Sequence, residues 1–92
     1  MERIVKPVEL RILSYVFFFP TSKESAIATA LNMNEDIVAA NLKSLVEHHR
    51  LLLKKADGLL VANPAKHDEV IGLVEINGKM ERYLNDIGYA FA

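Results

Sequence analysis

The stretch SAIATALNMNEDIVAANLKSLVEHHR, from Ser25 to Arg50, decides the fold of this chain. Its apolar residues recur at helical spacing in two groups, which a short polar segment separates. This pattern predicts two amphipathic helices joined by a tight turn. Asn32 suits the turn because asparagine adopts the left-handed conformation more readily than most residues other than glycine. Asn34 suits the N-cap of the second helix, because its side chain can accept a hydrogen bond from a free backbone N–H.

The second helix of this pair is predicted to run over residues 35–49, with one face in the core and the other in solvent. Glu35 and Asp36 fall in its first turn, where carboxylates interact favourably with the helix dipole. The outward face is therefore acidic at its start, and it is otherwise rich in alanine. The residues with inward spacing are Val38, Leu42 and Leu45.

An apolar helix is predicted before this pair, from Pro7 to about Phe18. Proline is well placed in a first helical turn, and Pro20 is expected to end the helix. The first helix of the pair is predicted to start at Thr21 or Ser22, since Thr21 and Glu24 have the spacing of a capping box.

Two short strands are predicted after the pair, at residues 51–56 and 59–63. Asp57-Gly58 between apolar runs is a strong signal for a two-residue hairpin turn in which both residues have positive φ. Lys54 and Lys55 lie close to the tip of this hairpin.

The remaining segment, residues 65–88, is predicted to be helical, either as one kinked helix or as two. Asn77-Gly78 is a possible break between them. An alternative makes residues 70–76 a strand of a second hairpin that turns at Asn77-Gly78, but the polar residues 79–82 favour helix. The apolar residues with helical spacing are Val70, Leu73, Val74, Ile76, Met80, Tyr83, Leu84 and Ile87.

Composition is typical of one small globular domain. The chain has 92 residues, of which 51% are hydrophobic, and a net charge of −1. The high apolar fraction is consistent with a homodimer. The sequence has no cysteine, which excludes disulfides and thiolate metal ligands and suits a reducing compartment. The apolar run at residues 12–19 is too short to span a bilayer, so we expect a buried helix and a cytoplasmic protein with no membrane partner.

From Ile12 to Pro64 the chain resembles the winged-helix superfamily of small prokaryotic and archaeal transcriptional regulators, broadly in the manner of the MarR, ArsR and Rrf2 families. The resemblance implies an α+β, mostly helical fold: a winged helix-turn-helix with a two-stranded hairpin wing and a C-terminal helix or helix pair. Residues 1–63 would form the winged helix-turn-helix domain, and residues 64–92 a helical segment that packs on it and dimerises. The residues that carry the resemblance are Ile12-Leu13, Pro20, Ile27-Ala28, Ala30-Leu31, Val38, Leu42, Leu45 and Asp57-Gly58.

The resemblance also implies a function, namely a DNA-binding transcriptional regulator. Helix 35–49 would read the major groove of double-stranded DNA, and the 51–63 hairpin would contact phosphates. The contacts expected in this way are Lys23, Asn34, Ala39, Ala40, Asn41, Lys43, Ser44, Arg50, Lys54 and Lys55. Ala39 and Ala40 can offer only methyl contacts, and Asp36 would face phosphate oxygens, which is unfavourable.

Two alternatives to DNA binding stay open, because winged helices also serve as protein-binding modules. One is a protein–protein interaction module with no DNA binding, and the other is an adaptor inside a larger complex. A continuous positive face over helix 35–49 and the hairpin would support DNA. A neutral or negative face with Ile37 and Ala40 exposed would support a protein partner.

No catalytic, cofactor or metal site is predicted. The sequence has no glycine-rich phosphate loop and no nucleophile motif, so we do not expect an enzyme. His48 and His49 diverge by about 100° on a helix and cannot easily share a metal ion, while His67 is distant in sequence. No polar residues mark a pocket for a small-molecule effector.

Overall fold

The computed structural model describes the backbone of residues 4–88 and the side chains of residues 4–83. Residues 1–3 of the predicted 1–63 segment and residues 89–92 of the predicted 64–92 segment lie outside this description. So do the side chains of Leu84 and Ile87, two of the apolar residues predicted to have helical spacing. Within the described residues the chain is mostly helical with one two-stranded antiparallel hairpin, which is compatible with the predicted α+β class. The elements are α1 Pro7–Phe18, α2 Glu24–Leu31, α3 Glu35–Lys43, a π-helical turn Ser44–His48, β1 Leu52–Lys54, β2 Leu60–Ala62, a 3₁₀ turn Pro64–Lys66 and α4 His67–Gly88.

One hydrophobic core holds these elements together. It takes side chains from all four helices and both strands. No helix within residues 4–88 is both long enough and apolar enough to cross a bilayer. The core residues are Ile12, Leu13, Val16, Ile27, Ala28, Val38, Leu42, Leu45, Leu51, Leu52, Leu60, Val70 and Val74.

Helix α1 has the predicted bounds, with proline in its first turn. The Lys6 backbone N–H donates a 2.8 Å hydrogen bond to Oε1 of Glu9, so the Glu9 side chain caps the helix start. Phe18 and Phe19 at the other end are exposed.

The predicted start of α2 is wrong. The helix begins at Glu24, and its N-cap, Lys23, makes no side-chain capping bond. Thr21 and Ser22 pair instead with β2: the N–H of Thr21 donates to the Leu60 carbonyl at 3.0 Å, and the N–H of Leu60 donates to the Ser22 carbonyl at 2.9 Å. Thr21 has a φ of 62°. Thr21, the proposed cap, and Ser22 therefore pair with the edge of the hairpin, while Glu24 is the first residue of α2.

The turn between α2 and α3 follows the prediction. Asn32 is left-handed with a φ of 53°, and the side chain of Asn34 accepts a 2.7 Å bond from the N–H of Asp36. Helix α3 is shorter than the predicted 35–49, because the backbone changes to i→i+5 bonding at Ser44. This π-helical turn ends at His48, and Arg50, two residues later, has a φ of 56°.

The hairpin pairs Leu52 with Ala62 and Lys54 with Leu60. Its strands are shorter than predicted, and its loop has three residues rather than two. The Gly58 N–H donates to the Lys55 carbonyl at 2.9 Å, and the Lys55 N–H donates to the Leu59 carbonyl at 2.8 Å. Of the two predicted turn residues only Gly58, with a φ of 85°, is left-handed. A three-residue loop with a left-handed glycine in its last position fits this pattern.

The C-terminal segment is one continuous helix from His67 to Gly88 in the described residues, so the possible break at Asn77-Gly78 is absent and the strand alternative is wrong. Helical spacing of the apolar side chains overrides the turn preference of the Asn-Gly pair. Helix α4 packs mainly on α1, with Val70 and Val74 buried between them and the core.

Candidate nucleic-acid interface

The outward side of α3 is displayed on the surface of the molecule. Val38 and Leu42 are buried behind it. Ile37 on the opposite side is 53% exposed, and Ala40 and Lys43 are also exposed. The helix can therefore meet a partner along this side without rearrangement of the core.

A cleft of about 790 Å³ separates α3 from the hairpin and from the N-terminus of α2. Three lysines from three elements line it: Lys23 at the N-cap of α2, Lys43 at the end of α3 and Lys54 on β1. The other lining residues are Glu24, Ser25, Glu35, Ala39, Leu42, Val46, Glu47, Asp57, Gly58 and Leu60.

Strand alternation explains which hairpin lysine reaches the cleft. Leu52 is fully buried on β1, and Lys54, two residues on, points to the same side of the sheet. Lys55 follows the strand, is exposed and does not line the cleft. Lys54 and Lys55 were both expected to contact DNA, but only Lys54 lines the cleft.

The cleft has mixed charge. Four acidic residues, Glu24, Glu35, Glu47 and Asp57, line it beside the three lysines. The face of α3 is also not uniformly positive, because Glu35, Asp36 and Glu47 are exposed on this side of the chain together with Lys43. An anionic ligand would be attracted locally by the lysine ammonium groups, and not by the field of the whole surface.

Several predicted contact residues already have intramolecular partners. The Asn34 side chain caps α3, and Nδ2 of Asn41 donates a 2.8 Å bond to the carbonyl of Ile37. Ser44 bonds the buried carboxylate of Glu9. Of the remainder, Ala39 lines the cleft, Ala40 is exposed beside it, and Arg50 is exposed after the π-helical turn. The structure thus brings together Lys23, Ala39, Lys43 and Lys54 among the predicted residues.

A buried polar contact behind α3 was not predicted. Glu9 is only 2% exposed, and its Oε1 atom lies 3.5 Å from Nε2 of His49. Burial raises the pKa of Glu9, but the hydrogen bonds from Ser44 and the Lys6 N–H, with the charges of His49 and Lys6, lower that pKa below its ordinary value. The ionised carboxylate joins the start of α1 to the π-helical turn after α3. No sequence pattern marks this pair, because its members are forty residues apart.

Among the side chains of residues 4–83, no three histidine, aspartate or glutamate groups converge as a metal site would require. No protein-family model matches the chain, and neither a curated protein nor a solved structure matches it. The display of α3 and the lysines of the cleft are therefore the observations from which a function can be argued.

Proposed function

We propose that this chain is a winged helix-turn-helix protein that binds double-stranded DNA and regulates transcription as a homodimer. In this proposal α3 enters the major groove, and the hairpin lies against the phosphate backbone. The observation that carries the proposal is the convergence of Lys23, Lys43 and Lys54, from three separate elements, on one cleft beside an exposed helix.

The order of the elements supports the winged-helix assignment. Three helices precede a hairpin, and α2 and α3 are joined by a short turn at the left-handed Asn32. An isolated antiparallel bridge between Ser22 and Leu60 lies at the edge of the hairpin. This bridge ties the hairpin to the segment between α1 and α2.

The cleft suits one strand of a DNA backbone. A DNA strand beside α3 would pass between this helix and the hairpin, along a cleft that Lys43 and Lys54 both line. The first N–H groups of α2 have no side-chain cap at Lys23, and helix N-termini commonly bind phosphate oxygens. These contacts position the protein but carry no base preference of their own.

Binding through so few cations should be weak and strongly dependent on salt. Ala39 and Ala40 can contact a thymine methyl group but cannot donate hydrogen bonds to base edges. Two copies would double the number of phosphate contacts.

The test replaces Lys23, Lys43 and Lys54 together with alanine and measures fluorescence anisotropy of a labelled duplex at several salt concentrations. In a plot of the logarithm of affinity against the logarithm of salt concentration, the slope should become less steep by about 0.9 for each phosphate contact removed. The single variants Lys54→Ala and Lys55→Ala form a matched pair, of which only Lys54→Ala removes a lysine from the cleft. Unchanged affinity in the triple variant, or equal effects of the two single variants, would contradict the contact assignment.

A protein partner on α3 is the second candidate, and a specific observation favours it. Ile37 and Ala40 are exposed next to Glu35 and Asp36, so this surface is apolar and acidic. An adaptor role in a larger complex would use the same surface. If the chain binds no duplex even at low salt, the protein-binding function replaces the DNA-binding function.

A further inference from the structure

Helix α4 has two apolar faces. One faces α1 and the core, with Val70 and Val74 buried. The second, which we call the outer stripe, consists of Leu73, Ile76, Met80 and Tyr83. These residues follow the three- and four-residue spacing that places side chains in one row along a helix.

The outer stripe is only partly covered by the rest of the described chain. Ile76 is 52% exposed and Tyr83 is 63% exposed, while Leu73 and Met80 are half-buried. The elements that pack most closely on α4 are α1 and the 3₁₀ turn. Leu73 packs in part against the core, whereas Ile76 and Tyr83 are left largely exposed. Large apolar side chains in a continuous row at a surface are typical of an interface.

We propose that the outer stripe pairs with the outer stripe of a second copy of this chain, with the two α4 helices antiparallel. The spacing suits two helices that cross at a shallow angle, about 20°. In this arrangement Leu73 of one copy lies near Tyr83 of the other, and Ile76 lies near Met80. This inference deepens the homodimer of the proposed function by naming its interface, but its test does not involve DNA.

The charges beside the outer stripe select the antiparallel orientation. Glu75 precedes the middle of the stripe, whereas Lys79 and Arg82 follow it. Glu81 faces α1, where its Oε1 atom lies 4.0 Å from Nε of Arg11. Antiparallel pairing brings Glu75 close to the two cations of the other copy, and two-fold symmetry repeats the contact. Parallel pairing would place Glu75, Lys79 and Arg82 of the two copies on opposite sides of the pair, so Glu75 of one copy would not reach the two cations of the other.

The described stripe is short, so the dimer should dissociate on dilution. Residues 73–83 extend over about 15 Å of helix. A contact of this length buries an area at the low end of the range for specific protein–protein interfaces. Most of the stabilisation should come from Ile76 and Tyr83, because these side chains lose the most exposed apolar surface on pairing.

The first test is sedimentation equilibrium of the full chain and of Ile76→Glu. We expect the full chain to dimerise reversibly and the variant to dissociate at least about tenfold more readily, since it places a carboxylate in the apolar contact. Ile37→Glu is the matched control, because Ile37 is an isoleucine on another helix with nearly the same exposure, 53%. Circular dichroism confirms that each variant is folded. A full chain that stays monomeric, or equal weakening by Ile37→Glu, would overturn the proposal.

The second test determines the orientation, and the absence of cysteine makes it direct. Leu73→Cys and Tyr83→Cys are prepared separately, mixed and oxidised. Antiparallel pairing predicts that the mixed disulfide forms in preference to either disulfide between identical variants. Preferential linkage of each variant to itself would show a parallel pair and overturn the orientation. Neither outcome depends on whether the chain binds DNA.

Discussion

Oε1 of Glu9, in the first turn of α1, lies 3.5 Å from Nε2 of His49, the residue that follows the π-helical turn after α3. The same carboxylate accepts hydrogen bonds from the Lys6 N–H and from Ser44. Glu9 therefore fixes the end of α3 to the start of α1. Glu9 is buried and does not line the cleft.

Glu9→Gln should destabilise the fold at neutral pH and reduce its sensitivity to acid. The pKa of Glu9 is lowered from 4.5 in the fold, chiefly because hydrogen bonds and cations outweigh the burial that raises it. Ionisation thus stabilises the fold at pH values above 4.5, and this contribution is lost as the pH falls through the lowered pKa. Removal of a buried charged acceptor should reduce the free energy of unfolding by about 1–3 kcal/mol.

The measurement is urea denaturation of both proteins at neutral and at acid pH, with Glu47→Gln as control. Glu47 is exposed in the same π-helical turn, so the identical chemical change there should have little effect. If Glu9→Gln retains the full acid dependence of the native chain, the buried carboxylate is not its source.

Replacement of two glycines by alanine should have opposite effects. Neither Gly58 nor Gly78 has a neighbouring atom within 4 Å of the Cβ that alanine would add. Gly58 has a φ of 85°, which costs a residue with a Cβ about 1–2 kcal/mol. Gly78 lies inside α4, where alanine is favoured over glycine by about 1 kcal/mol. Thermal unfolding should therefore show a lower midpoint for Gly58→Ala and a higher one for Gly78→Ala. A lower midpoint for Gly78→Ala would indicate that α4 is broken at this position.

The parts of the fold that could be predicted from the sequence are those that a local pattern determines. The bounds of α1 follow from Pro7 and Pro20, and the left-handed turn follows from Asn32. The start of α2 could not be predicted, because pairing of Ser22 with Leu60 outweighs a local capping box. The hairpin was predicted, but the length of its loop depends on backbone bonds that the Asp-Gly pair alone does not fix.

In the candidate site, too, some features follow from a local sequence pattern and others depend on contacts between residues distant in sequence. Exposure of α3 was predictable because Val38, Leu42 and Leu45 determine which side is buried. The partner of Ser44 was not predictable, since it is the carboxylate of Glu9 in another helix. The partner of Asn41 is local, because the carbonyl of Ile37 lies four residues earlier in the same helix. The separation of Lys54 from Lys55 depends on the register of β1 with β2.

Thr21→Asn should stabilise the protein. Thr21 is a β-branched residue with a φ of 62°, and asparagine tolerates this conformation better. The backbone bond from its N–H to the Leu60 carbonyl is kept. We expect the free energy of unfolding to rise by about 0.5–1 kcal/mol, a fraction of the cost of a left-handed residue. Thr29→Asn, on the exposed side of α2, should give no such gain. Equal stability changes at both positions in chemical denaturation would argue against strain at Thr21.

Neutralising the first turn of α3 should distinguish DNA binding from protein binding. Glu35 and Asp36 are exposed at the end of α3 that would approach a duplex. The double variant Glu35→Gln with Asp36→Asn removes repulsion from phosphates, so duplex affinity should rise several-fold at low salt and less at high salt. The helix itself should lose about 0.3–1 kcal/mol for each charge removed.

Helix α4 provides the matched control, because Asp68 and Glu69 occupy its first turn in the same way. Asp68→Asn with Glu69→Gln removes the same two charges away from the cleft, with a similar cost to the helix and a smaller effect on the duplex. Anisotropy titrations of both double variants, over the same range of salt, give the comparison. A duplex affinity that falls when the α3 carboxylates are removed would show that they contribute to recognition. Phosphate repulsion could not then be their effect. An unchanged duplex affinity would instead show that the first turn of α3 lies away from the duplex, which leaves its acidic surface for a protein partner.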